Sequence, residues 1–279
     1  LSDHVRTAQT GAVRTILIDR PEKKNALTRA IYDSLAAAIR SADADPTVKV
    51  ICLTGTGGAF SSGNDIGDFE AQPPVSDMKT GPHGLLCALR DAEKPLVAAV
   101  NGMAVGIGAT LLLHCDLVYA GASARFRLPF VGLGLAPEGG STVLLPRLLG
   151  PQRASEVLFF GDWIDARKAL AWGLVNEVFE DADLIAEVRS RADRLARQPA
   201  RLLRLAKRLM KQAPTSLDDR IVEEIDLIAR NLSLPEAKEA FRAMREKRPP
   251  DFGPFDGQEQ AASPPCSDGS GFAAQRRPE

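Results

Sequence analysis

Three histidines and four cysteines are all that this 279-residue chain holds of the side chains that most metal and thiol chemistry uses. His4, His83 and His114 form no cluster, so neither a zinc site nor a serine–histidine triad finds support. Cys52, Cys87, Cys115 and Cys266 include no CxxC pair and no metal-ligand spacing. Cys52 and Cys115 lie in apolar runs and read as small core residues. No charge sign dominates: 35 Lys and Arg against 36 Asp and Glu leave a net charge of -1, which gives no reason to expect a nucleic-acid or membrane-surface partner. No stretch reaches the ~18 apolar residues of a membrane span. The start, LSDHVRTAQTGAVRT, lacks an apolar run preceded by basic charge, so no signal peptide is expected and cytoplasmic is the default location. A dinucleotide fingerprint is missing too, because GTGG followed by AFSSGND does not give GxGxxG opening a helix.

What is present is organised around the stretch Asn101–Gly140. An apolar strand (Pro95–Val100) enters it, Gly102, Gly106 and Gly108 punctuate it, and an apolar helical run follows through Leu113. Glycine costs about 1 kcal/mol relative to alanine inside a helix. Three of them around a helix start predict close backbone approach and free N–H groups pointing at something. Glu138 is the only acidic residue between Asp116 and Glu156. One carboxylate in a long apolar surround suits proton transfer. It also has a structural reading: a carboxylate opening the helix expected from about Gly139 to Leu145, ended by Pro146, gains roughly 0.3–1 kcal/mol from the helix dipole.

Around this stretch the pattern is α/β. Val13–Asp19 reads as a strand, Thr28 caps a helix over Arg29–Ala42, and Val48–Thr54 is a strand: a βαβ unit and a largely parallel sheet. Ala59–Asp65 (AFSSGND) is a loop after a strand, either a ligand-holding loop of the α/β kind or an ordinary glycine turn. Gly67–Gly84, with three prolines, reads as loosely packed, and His83–Asp91 as a helix. Leu117–Ala120 and Leu174–Phe179 read as further strands, Ala154–Phe159 and Ala166–Ala171 as helices. From Asp181 the strands stop. Asp183–Arg197, Ala200–Met210, Ser216–Leu232 and Pro235–Arg245 have helical periodicity, with Leu217, Ile221, Ile225 and Ile228 on one apolar stripe. Arg201, Arg204, Lys207, Arg208 and Lys211 make a basic helix face, read as solvated, with phosphate contact as the alternative. The expected organisation is an α/β core over 1–180, a helical subdomain over 181–252 that covers a site or builds a subunit contact, and an extended or disordered tail over 253–279.

The motifs RPEKKNALT (Arg20–Thr28), AFSSGNDIGDF (Ala59–Phe69), KPLVAAVNGMAVGIGATLLLHCDLVYA (Lys94–Ala120), ARFRLPFVGLGLAPEGGSTVLLPRLLG (Ala124–Gly150) and ARKALAWGLVNEV (Ala166–Val178) carry a likeness. Together they resemble the crotonase superfamily, the enoyl-CoA hydratase/isomerase family. That resemblance implies a spiral of repeated ββα turns with a C-terminal helical part, assembled as a homotrimer or hexamer. It implies an acyl-CoA thioester as substrate, no metal and no prosthetic group. The thioester oxygen would lie in a hole made by the backbone N–H groups of Asn64 and Ile107. Fixed dipoles of that kind are worth a few kcal/mol, about 3 per donor.

The same resemblance puts Lys23 and Lys24 near the CoA phosphates, and counts Ser62, Asp65 and Ile66 among the CoA-binding residues, with Asp65 chiefly ordering its loop. Lys247, with Phe241, falls where a C-terminal helix reaches the nucleotide, sometimes on a neighbouring subunit. Asp116 reads as a structural hydrogen-bonding residue. The two glutamates of typical hydratases are missing: Thr110, or Ala109 in a second alignment, and Phe130 stand in their places. Glu138, in GLAPEGGS, is similar in setting to the single base of peroxisomal-type Δ3,Δ2-enoyl-CoA isomerases. An apolar lining from Ile107, Leu133, Leu135 and Phe130 is expected to raise its pKa. Other acyl-CoA reactions of the superfamily, and a non-catalytic acyl-CoA-binding or RNA-associated protein, are the alternatives. The net charge speaks against RNA, and Glu138 against lost catalysis.

Overall fold

In a computed structural model, residues 2–71, 80–212 and 216–256 are described. Two sheets share one winding path. The larger has six strands: β1 (Val5–Thr10), β2 (Val13–Ile18), β3 (Val50–Gly55), β5 (Leu96–Val100), β7 (Leu117–Gly121) and β10 (Glu177–Phe179), side by side in that order. The smaller orders β4 (Ala59–Ser61), β6 (Met103–Val105), β8 (Arg125–Arg127) and β9 (Ile164–Asp165). Each of β3, β5 and β7 is followed directly by a short strand of the second sheet. The pairs β3–β5–β7 and β4–β6–β8 are parallel, so the chain climbs as a spiral of two-strand turns.

β3 and β5 are buried along their whole length, as expected for parallel strands covered on both faces. One face, with Ile51, Leu53, Leu96, Ala98 and Val100, packs into the cluster formed with α1 (Arg29–Ala44) and α3 (Gly81–Asp91). The alternate residues Val50, Cys52, Val97 and Ala99 face Leu184, Val188 and Ala192 of α8 (Leu184–Ala196). The period of two along each strand thus divides one apolar run between two cores. Thr28 caps α1 as expected, its hydroxyl accepting from the Ile31 N–H at 3.4 Å.

Several expectations change. β1 has a mostly exposed face on both sides and no alternation to betray it. Ala59–Asp65 contains β4 and a bridge from Asn64 to Leu27. Gly67–Gly84 is not uniformly loose: α2 (Ile66–Ala71) is helical and α3 begins at Gly81, while residues 72–79 lie outside the described residues. The glycine-rich stretch holds β6, then the single-turn helix α4 (Ile107–Thr110) and a 3-10 turn at Leu111–His114.

The helix after Glu138, α5 (Ser141–Leu149), starts later than expected because Gly139 and Gly140 both have positive φ (66° and 72°). It also runs through Pro146, held across that missing N–H by buried Leu145 and Leu149. α6 (Pro151–Phe160) and α7 (Ala166–Trp172) follow, and the strand expected over Leu174–Phe179 is confined to β10.

Beyond α8 come α9 (Ala200–Lys211), α10 (Leu217–Asn231) and α11 (Pro235–Glu246). The basic face of α9 is not simply solvated. Lys207 is buried, pairing with Asp116 at 2.6 Å and donating to the Lys94 carbonyl at 2.7 Å, and Arg201 pairs with Glu236. Asp116 therefore has the structural role expected of it, also accepting from the Leu96 N–H at 2.8 Å. The expected loose tail is shortened at its start. Gly253–Phe255 forms a 3-10 turn, Asp256 pairs with Lys49 at 2.5 Å, and 257–279 lie outside the described residues. No helix among the described residues is long and apolar enough to cross a membrane.

Candidate active site

The site is assembled from three turns that glycine allows to touch. The first begins at the left-handed residues Lys24 and Asn25 (φ 50° and 56°). Asn25 is fully buried. Its amide donates to the carbonyls of Thr56 at 2.9 Å and Ala59 at 2.7 Å, and its side-chain oxygen accepts from the Arg20 N–H at 2.8 Å. The Ser61 hydroxyl donates back to the Asn25 carbonyl at 2.9 Å. The RPEKKNALT turn is thereby stitched to the loop after β4.

Asn64 then bridges Leu27 in parallel fashion: the Leu27 N–H donates to Gly63 O at 2.8 Å and the Asp65 N–H to Leu27 O at 2.9 Å. This pattern uses the amides on either side of Asn64 and turns its own N–H away from Leu27. No acceptor among the described residues takes that N–H.

The second turn is the start of α4. The N–H groups of Ala109 and Thr110 reach Gly106 O, both at 2.9 Å, while that of Ile107, in the first helical position, has no acceptor among the described residues. The two amide-bearing turns press on one another. A Cβ at Gly63 (φ 92°) would lie 2.8 Å from Val105 O, and one at Gly108 would lie 2.7 Å from Ser61 O. Only glycine fits at either place.

The third turn carries Glu138. Glu138 does not stand at the N-cap of α5: that position is Gly140, which has no side chain to accept from the first-turn amides. Instead, Glu138 Oε1 accepts from the Thr110 hydroxyl at 2.5 Å. A Cβ at Gly139 would meet Thr110 at 2.9 Å, so this backbone is seated directly on α4. His114 Nε2 lies 2.8 Å from Gly139 O. A carbonyl only accepts, so that nitrogen carries the proton.

Burial raises the Glu138 pKa, against the opposing pull of the Thr110 hydrogen bond. The apolar lining differs from expectation: Ile107 and Phe130 are buried, but Leu133 and Leu135 are 65% and 43% exposed. Leu133 closes the exposed 3-10 turn Val131–Leu133, Leu135 follows it, and it is the 138–139 turn that is seated on α4.

Sequence reasoning missed Tyr32. It is buried on α1, and its hydroxyl donates to Asn64 Oδ1 at 2.5 Å. Burial, then the charges of Glu138 and Asp68, raise its pKa well above the ordinary value, so it stays a neutral donor. A tyrosine hydroxyl on the apolar stripe of α1 needs a partner, which was the available signal.

Lys23, Lys24, Ser62, Asp65 and Ile66 gather at the rim of these turns. Lys23 and Lys24 are exposed, and Ser62 donates to Lys23 O at 3.3 Å. Asp65 pairs with Arg20 at 2.8 Å, which, with the Asp68 N–H and nearby Lys23, holds its carboxyl below the usual range. Ile66 is 72% exposed. Lys247 is apart, an exposed left-handed residue (φ 54°) closing α11. Among the described residues, no group of three or more His, Cys, Asp or Glu is placed to hold a metal ion.

The family model for enoyl-CoA hydratase/isomerase matches residues 8–254. The chain belongs to that family. Human enoyl-CoA delta isomerase 2 is 39% identical over 215 residues, covering 75% of this chain and 54% of that protein. The chain thus spans about half the length of that relative. The 1,2-epoxyphenylacetyl-CoA isomerase of Escherichia coli K12 is 35% identical, over 86% of this chain and 94% of its own. The crystal structure of an enoyl-CoA hydratase from Polaromonas sp. JS666 superposes with a TM-score of 0.82 at 30% identity, covering 88% of this chain and 98% of that one. The two-sheet spiral with its C-terminal helices is the α/β crotonase-type fold of the enoyl-CoA hydratase/isomerase family.

Proposed function

We propose that this chain acts on an acyl-CoA thioester and shifts the double bond of a 3-enoyl-CoA to the 2-position, with Glu138 as the only base. The observation that carries the reading is the Glu138 carboxylate, bonded to the hydroxyl of Thr110 while Thr110 and Phe130 fill the two positions where hydratases of the family hold glutamates. Glu138 takes a proton from C2, electrons move onto the thioester oxygen, and the protonated acid returns the proton at C4. The oxygen gains charge in between and needs fixed donors; the unengaged N–H groups of Asn64 and Ile107 serve there. Burial brings the carboxyl closer to the pKa useful for a base near neutrality.

Lys23 and Lys24 contact the CoA phosphates, and Ser62, Asp65 and Ile66 line the pantetheine path. Lys247 reaches the nucleotide from its own or a neighbouring subunit in a homotrimer or hexamer. Matches to a delta isomerase and to an epoxyphenylacetyl-CoA isomerase support an isomerase reaction. Because the second covers 94% of its relative, isomerisation of an aryl-acetyl-CoA derivative is the second reading.

The test is the absorbance change with 3-hexenoyl-CoA and, separately, 2-hexenoyl-CoA. Conjugation of the first is expected, with negligible water addition to the second. Glu138→Gln should lower the isomerisation by about 10³-fold. Water addition at a rate indifferent to Glu138 would sink the mechanism.

A further inference from the structure

The geometry points to Thr110 as the positioning residue that aims the Glu138 carboxylate at the substrate, from the same helical segment that supplies the Ile107 amide. The inference rests on Glu138 being the base.

Thr110 is fully buried, and its hydroxyl has two acceptors in range: Glu138 Oε1 at 2.5 Å and Ile107 O at 3.5 Å. A hydroxyl donates one proton, so the short contact takes it. The carboxylate then has Oε1 committed and Oε2 left for the proton that moves. The backbone is held as well. Gly139 could not carry a Cβ without meeting Thr110 at 2.9 Å, and four residues after Thr110 the His114 ring fixes Gly139 O at 2.8 Å. Residues 107, 110 and 114 therefore hold, in turn, an oxyanion amide, the side chain of the base and the backbone beneath it. The separation between hole and base is set by the single turn of α4 from Ile107 to Thr110, not by the exposed loop that carries Glu138. Where a hydratase of the family holds an acid, this chain holds the donor that orients a different one.

Charge–dipole bonding of this kind stabilises the ionised carboxylate. Among the described residues, Tyr32 and His114 are the titratable groups beside the pair. Tyr32, from α1, stays protonated, while His114 is pushed below its ordinary pKa by burial and so titrates on the acidic side too. The Glu138 resonance, not the rate profile alone, is therefore the deciding readout.

The experiment uses the full chain with Thr110→Val, which keeps the shape and removes the donor, and Thr110→Ala as a second variant should the first not fold. Glutamate side-chain carboxyls are labelled with carbon-13 and titrated, Glu138 being assigned by the signal lost in Glu138→Gln. The expected result is a Glu138 titration about one pH unit higher in either variant. With 3-hexenoyl-CoA, kcat should fall about 10-fold with KM within about twofold, and Thr110→Ser should restore both. An unmoved Glu138 titration in a folded variant overturns the positioning role. Full activity of Glu138→Gln would instead sink the reading of Glu138 as base, and the titration would still decide whether Thr110 governs that carboxyl.

Discussion

At the scale of single residues, Glu138 makes folding depend on pH in a sense opposite to most carboxylates. Its pKa is raised by burial above the ordinary value of ~4.3 that it regains on unfolding. The folded chain therefore binds this proton more tightly than the unfolded one. The resulting stability is fully present below about pH 4 and is lost as pH rises through the folded pKa. Glu138→Gln removes the ionisation while keeping an oxygen for Thr110. Its melting temperature should exceed that of the parent at pH 7–8, and the gap should close towards pH 4. A variant that melts lower than the parent at pH 8 would mean that the Thr110 bond outweighs the desolvation.

Glu138 itself was legible in the sequence because a lone carboxylate in an apolar run stands out. The hydroxyls that surround it were not. Thr110 lies 28 residues away, and Tyr32, 32 residues from Asn64, sits on a stripe that reads as core. Periodicity reports which face of a helix is buried, not which polar atom across the fold a side chain meets.

At the scale of elements, the packing of α9 depends on one buried ion pair. Lys207 reaches Asp116 at 2.6 Å and the Lys94 carbonyl at 2.7 Å. Asp116 in turn holds the start of β5 through the Leu96 N–H. Without Lys207, Asp116 keeps the Leu96 N–H and a longer 4.0 Å pairing with Lys211, so the loss falls below the ~3–5 kcal/mol of a fully uncompensated buried charge but stays well above that of a surface pair. Lys207→Met should thus unfold at markedly lower urea, while Arg208→Met on the same helix should change little. Equal midpoints for the two would contradict this assignment.

The basic face of α9 shows the limit of reading charge from spacing: five cations at helical intervals look alike until the packing direction is known. Buried strands such as β3 and β5 and the capped α1 were legible, since length, β-branched content and a capping hydroxyl all agree. β6 and α4 were not, because three residues of strand and one turn of helix are too short to show a period. Pro146 misled for a related reason: a proline signals a lost hydrogen bond, but Leu145 and Leu149 anchor the turns on either side of it.

At the scale of the whole molecule, the least explained surface is α10. Leu217, Ile221, Ile225, Ile228 and Leu232 recur at steps of three and four and are 45–73% exposed in the single chain. An amphipathic helix owes most of its stability to an apolar face covered by packing, and this face has no cover among the described residues. Met210 on α9 and Met244 on α11 add exposed apolar area on the neighbouring helices. Contiguous apolar patches on this scale mark contact surfaces, which supports the proposed homotrimer.

Sedimentation of the parent should give a trimer or a hexamer. Ile221→Asp combined with Ile225→Asp should give monomers with unchanged far-UV circular dichroism, because neither side chain is part of the described core. If Lys247 reaches the CoA nucleotide of a neighbouring subunit, the dissociated variant should also bind CoA more weakly, with Glu138 and the amides of Asn64 and Ile107 intact. A variant that still assembles would place the subunit contact elsewhere, and a monomeric parent would overturn the homotrimer and leave the α10 face to another partner.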